Sequence, residues 1–260
     1  MFTGLDGSGK STFLKRVKDE LSPEYEVLFS PFIHSEDFAE DDELYHLCKG
    51  VNTINLRGDE LRNPRIKAIA LLASMMLFRR QYEFKIGLNA EVLLCERMPL
   101  IDAPVYAEFY APVAGEELED PELDEINRKY DTILQLFVEI LPEGYRHISN
   151  HPAQDLLAFI HRWFHLEKKV DLHSLSQLFD HSLPDEVFYL YAPVNVLHHR
   201  IKDRDVSESH ETLKVLQLMS KVYEDNWIKL ESGHDLSITR IDVTDFAELD
   251  RLFDEWKNEA

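Results

Sequence analysis

Residues 4–12 read G-L-D-G-S-G-K-S-T. Every fixed position of G-x-x-x-x-G-K-[ST] is met, between a short β-prone stretch and a helical pattern (Phe13, Leu14, Val17, Leu21), the context that gives the motif meaning. The chemistry is phosphate binding. Gly4, Gly7 and Gly9 let the backbone curl with its amides inward, and Ser8 sits inside the curl. The following helix adds its positive N-terminal dipole. Lys10 is expected to reach the β- and γ-phosphates of ATP, and Ser11 to bind Mg²⁺ with Thr12 beside it.

Three further places carry charge suited to a transferring phosphoryl group. Glu96 and Arg97 follow a β-prone run, Val92 to Cys95, and the carboxyl end of a parallel strand is where such sheets bind ligands. Glu96 is read as a Mg²⁺-side acid, acting through water, and Arg97 as a grip on acceptor phosphate or the transferring group. After Ala192-Pro193 comes H-H-R-I-K-D-R-D, with Arg200 and Arg204 on one helical face. This is the expected arginine-bearing lid, residues 198–209. Asp203 and Asp205 offer the bland alternative of a solvated ion-pair face. Arg79-Arg80 is the third place, with one of the two directed at the cleft.

These residues need a frame. The β-prone runs are Phe2–Thr3, Val27–Phe29, Val92–Cys95, Val187–Tyr191 and Ile238–Val243, separated by helical periodicity at Ile66–Phe84, Leu213–Leu230 and Phe246–Trp256. The alternation predicts an α/β domain over 1–260, a five-stranded parallel sheet with helices on both faces. Residues 110–185 break the rhythm. Asp120-Pro121-Glu122 is a helix start; further helices follow His151-Pro152 and Asp171. This helical insertion is read as a lid, a substrate wall or a homodimer face. Only Met1 to Thr3 precede the loop, so either the feeding strand is short or the natural start lies upstream.

Composition excludes several classes. A formal charge of -21 opposes non-specific affinity for nucleic acid or anionic membranes. No apolar run spans a bilayer, and no secretion signal is visible. Two cysteines without a pairing pattern, Cys48 and Cys95, suit a reduced, cytoplasmic protein. A guanine-reading N-K-x-D and a transporter-type L-S-G-G-Q are both absent. His161 and His165, with Glu167 nearby, lack a third ligand for zinc. Phe159, Trp163 and Phe164 are read as core or dimer packing.

The chain resembles the thymidylate kinase and deoxynucleoside kinase superfamily over roughly 1–107 and 186–257. The resemblance rests on the phosphate loop with Asp6, on A-L-L-A-S-M-M-L-F-R-R at 70–80, on L-L-C-E-R-M-P-L-I-D-A-P-V-Y-A at 93–107 and on F-Y-L-Y-A-P-V-N-V-L-H-H-R-I-K-D-R at 188–204. It implies a three-layer P-loop kinase sandwich using ATP and Mg²⁺. It also implies that Asp6 meets the acceptor's sugar and Arg80 its phosphate side. Pro31, Phe32, Arg97 and Tyr106 complete the expected acceptor site. Deoxynucleoside kinases carry a glutamate base before the proline after the second strand; here Phe29-Ser30-Pro31-Phe32 puts serine there. A hydroxyl acceptor benefits from a base and an ionised phosphate needs none, which favours a thymidylate-like monophosphate. The arginine usual near that proline in thymidylate kinases is also missing. The alternatives are a deoxynucleoside kinase, a kinase of a related specialised metabolite, or a nucleotide-binding regulatory protein that has lost transfer.

Overall fold

A computed structural model describes residues 1–21, 25–29, 38, 42–87, 91–116, 120–202, 211–233 and 236–259. Pro31, Phe32, Arg204 and most of the expected 198–209 lid lie outside the described residues. The chain forms two compact units: Met1–Ser30, Phe78–Val105 and Ser182–Ala260 make the first, Pro31–Leu77 and Tyr106–His181 the second.

Among the described residues the strands all lie in the first unit: β1 (Phe2–Thr3), β2 (Tyr25–Leu28), β3 (Val92–Cys95), β4 (Glu186–Tyr191) and β5 (Ser237–Asp242). All pairings are parallel, as the alternation with helices requires. The expected continuous five-stranded sheet is corrected: β1-β4-β5 form one sheet and β2-β3 another. Among the described residues a single bridge, Phe2 to Glu96, joins them. The reason is the length of β1, whose two residues leave room for one contact with the end of β3, where the Arg97 amide donates to Phe2 O at 2.8 Å.

Pleating sorts the side chains. Phe2, Phe188 and Leu190 join the core formed with Phe13, Leu14 and Val17 of α1 (Lys10–Leu21) and Phe253 of α10 (Ala247–Glu259). Their neighbours point the other way: Tyr189 packs on Tyr223 and Trp227 of α9 (Leu213–Gly233), and Thr3 hydrogen-bonds Asp102 and Tyr223. Helices therefore cover both faces. α8 (Val194–Lys202) follows β4 directly.

In the second unit, α2 (Glu43–Leu61) buries Leu44, Leu47, Cys48, Val51 and Ile54. α5 (Pro121–Ile140) is capped by Asp120, whose carboxylate accepts from the amides of Glu122 and Leu123, as Asp-Pro-Glu promised. α6 (Pro152–Ile160) runs into a π-helical turn, His161–Leu166, and α7 (Leu172–Phe179) is capped by Asp171. Phe159 and Trp163 are buried there. The division between units falls within α3 (Pro64–Ile86) and α4 (Pro99–Ala114). Cys48 and Cys95 are both buried thiols. Among the described residues no helix is long and apolar enough to cross a membrane.

Candidate phosphate-transfer site

The site is built at the carboxyl ends of β1 and β3. β1 stops at Thr3, and the chain turns through the phosphate loop into α1, whose first residue is Lys10. The turn needs backbone conformations open mainly to glycine: φ is 143° at Gly4, 82° at Gly7 and 88° at Gly9. Gly4 also lies against β4. A Cβ there would stand 2.2 Å from the Leu190 carbonyl oxygen, which is backbone and cannot swing aside. Gly4→Ala is expected to cost about 3 kcal/mol or more, combining backbone strain and overpacking. Urea unfolding measures it, and a loss under about 1 kcal/mol would contradict this close approach.

Lys10 turns back into the loop. Its ammonium donates to Gly4 O at 3.0 Å, Leu5 O at 2.9 Å and Ser8 Oγ at 3.2 Å. It is 3% exposed. Burial lowers its pKa from 10.5 to about 8, with the Arg97 charge pushing the same way and Asp6, Glu96 and Asp102 opposing. A bound phosphate would exchange the carbonyl acceptors for anionic oxygens. Ser8 is buried, whereas Ser11 and Thr12 are exposed on the first turn of α1.

Glu96 stands where β3 ends, its amide bonded to Leu28 O at 2.8 Å. Its Oε1 accepts the Ser11 hydroxyl at 2.7 Å. Burial pushes its carboxyl pKa up, offset by Lys10, the Ser11 hydrogen bond and Arg97. Among the described residues no three His, Cys, Asp or Glu side chains could hold a metal together. Mg²⁺ takes one or two protein oxygens and otherwise water and phosphate; the buried, partly compensated Glu96 carboxylate beside the Ser11 hydroxyl fits it.

Arg97 is 5% exposed and has φ of 64°. Nη2 meets Asp6 Oδ1 at 2.5 Å; Nη1 donates to Gly4 O at 3.1 Å and Tyr223 Oη at 3.1 Å, with Asp102 Oδ1 at 3.4 Å. Asp6 and Arg97, each expected on the acceptor side, are thus paired with each other here. Arg200 also comes to the loop. Its guanidinium donates to Thr244 O at 2.8 Å and, at 3.4 Å, to Gly7 O, and lies 4.1 Å from the Phe246 ring centre. A Cβ on Gly9 would meet that ring at 2.6 Å.

Lys10, Arg97 and Arg200 are interleaved with Asp6, Glu96 and Asp102, so the carboxylates keep the cations company. Arg80 is an exposed side chain on α3. Tyr106 is buried in the second unit, its ring 6.3 Å from that of Tyr110. The His161 and His165 rings lie 5.0 Å apart, tilted by 31°, and His161 Nδ1 lies 3.0 Å from Ala111 O.

The sequence alone assigns no chemistry to Asp102, Tyr223 or Thr3, and its periodicity puts Phe246 in a helix. It instead precedes α10 with φ of 64°. An acid six residues after Glu96 was the one available signal for Asp102. Tyr223 had none beyond helical periodicity, because its partners are 121 and 126 residues away.

No family model matches the chain, and no curated protein matches it. Among solved structures it is similar to a deoxyadenosine kinase from M. mycoides with bound dATP, at 16% identity and TM-score 0.45, covering 98% of this chain and 97% of that one. The same enzyme with dCMP and dCDP bound gives 16% and 0.45 over 99% and 97%. A thymidylate kinase from Candida albicans gives 12% and 0.49, over 99% of this chain and 90% of that one.

Proposed function

We propose that this protein is an ATP-dependent phosphotransferase acting on a nucleotide or nucleoside, with a thymidylate-like monophosphate as the preferred acceptor. The observation that carries the reading is the loop itself. Lys10 lies buried inside a three-glycine turn at the N-terminus of α1, with Glu96 hydrogen-bonded to Ser11 beside it.

The proposed chemistry is positioning and charge neutralisation. The loop amides and Lys10 bind the β- and γ-phosphates of the donor, and Gly4, Gly7, Ser8, Gly9 and Thr12 shape that cradle. Ser11 and Glu96 would hold Mg²⁺, which neutralises phosphate charge when bound. Arg97 exchanges Asp6 for an oxygen of the acceptor or of the transferring group, freeing Asp6 to accept a hydrogen bond from the acceptor's sugar. Arg200, beside Gly7, covers the donor phosphates; Arg204 is assigned the same lid role from the sequence. Pro31, Phe32, Arg80 and Tyr106 stay proposed acceptor contacts. The monophosphate preference rests on the sequence, in which serine precedes Pro31 at the position where the deoxynucleoside kinases it resembles carry a general base.

One screen tests this. Purified protein, ATP and Mg²⁺ are offered a panel of nucleosides and nucleoside monophosphates, and ADP production is followed. Turnover on monophosphates is expected. Turnover confined to nucleosides would replace the acceptor class, and none on any member would favour a regulatory nucleotide-binding role.

A further inference from the structure

Around Arg97 lie buried groups that the proposed chemistry does not use. Asp102 and Tyr223 are each 1% exposed, and Thr3 is fully buried. Asp102 Oδ2 accepts the Met98 amide at 2.7 Å. Its Oδ1 accepts the Tyr223 hydroxyl at 2.5 Å and the Thr3 hydroxyl at 2.7 Å, and faces Arg97 Nη1 at 3.4 Å. The Tyr223 oxygen, having donated to Asp102, accepts from Arg97 at 3.1 Å. Burial, then the Asp102 charge, holds the Tyr223 phenol pKa well above its usual value, so it stays a donor.

The two edges of the Arg97 guanidinium are therefore held differently. Nη1 faces Gly4 O, Tyr223 and Asp102, groups from β1's end, α9 and α4 that sit in the interior. Nη2 faces Asp6, a loop carboxylate with 22% of its side chain exposed, the one anion of the set that a ligand oxygen can replace. A rigid planar fork fixed along one edge aims the other. The left-handed backbone at Arg97 persists only because its surroundings over-determine it.

We infer that Asp102 and Tyr223 are positioning residues: they clamp the Nη1 edge of Arg97 so that its Nη2 edge is pre-aimed at the phosphate loop, with Asp6 keeping the place of a ligand oxygen. Pre-organisation of this kind spares the reorganisation that transition-state stabilisation would otherwise require. The inference rests on the phosphotransferase reading, so its test has two arms.

Tyr223→Phe removes one hydroxyl and keeps the ring against Tyr189 and Trp227. It is expected to lower kcat tenfold or more while the KM for ATP moves less than twofold. In an Arg97→Ala background the same change should cost less than twofold further, because its effect passes through Arg97. An unchanged kcat, or losses that multiply in the double variant, would overturn the inference. The second arm needs no activity. In protein labelled with ¹⁵N-arginine, the Arg97 Nη signals, assigned by their loss in Arg97→Ala, should be resolved and slowly exchanging, and should merge in Tyr223→Phe. Merged signals in the wild type, or signals unchanged by Tyr223→Phe, would refute the clamp even in a protein that transfers nothing. Asp102→Asn carries both readouts should Tyr223→Phe fold poorly.

Discussion

Lys10→Met is expected to lower phosphoryl transfer by three orders of magnitude or more, since one pre-organised donor at developing charge contributes ~10²–10³ and Lys10 is also the main cation of the proposed donor site. Unchanged ADP release would end the kinase reading. The pH dependence adds a second signature. With its pKa near 8 in the free protein, the ammonium is lost as pH rises past that value. Affinity for ATP should then weaken about tenfold per pH unit above 8, because the anion binds the protonated form. Stability runs the other way. The folded pKa lies below the unfolded 10.5, so from about 8 to 10.5 the unfolded chain binds more protons and stability from this group rises with pH. Below pH 8 the buried ammonium carries its full cost, about 3 kcal/mol. Denaturant titrations should show the wild type gaining by up to that amount on Lys10→Met between pH 8 and 10.5. A pH-independent difference would mean that Lys10 titrates normally.

Glu96→Gln is expected to reduce turnover about 10²-fold or more and to raise the Mg²⁺ concentration needed for half-maximal activity, without lowering the Tm by more than a few degrees. Glutamine keeps an oxygen for the Ser11 hydroxyl and removes only the charge. Burial raises the Glu96 pKa, so this group's contribution to stability falls as pH rises from the ordinary carboxylate range through its folded pKa. Near neutrality the substitution therefore relieves that cost, and Asp6 and Asp102 still face Arg97. A Tm loss in proportion to the activity loss would make Glu96 a structural residue, and unaltered turnover would remove it from the metal side.

The elements legible beforehand share one property: their pattern is local. The Gly4–Thr12 loop, the strands and the Asp120 and Asp171 caps each depend on residues a few positions apart. α2 and α4 carry no such local pattern. α2 carries Gly50 and Gly58 among its apolar positions, weakening its helical signal. α4 buries Leu100, Ile101, Ala103 and Val105 alike and contains Pro104, so it shows no one-sided stripe.

By itself the sequence determined the glycine-rich loop, the parallel direction of the strands and the place of Glu96 and Arg97 at a strand end, because turn chemistry and side-chain periodicity are set by neighbours along the chain. The tertiary structure alone decided the rest. It split the sheet at β1, closed Lys10 into the loop interior, paired Asp6 with Arg97, and brought Tyr223 and Asp102 to that arginine from segments 121 residues apart. Those contacts join buried polar groups whose partners are chosen by packing and by the need to satisfy charge away from water, a requirement that no spacing in the chain records.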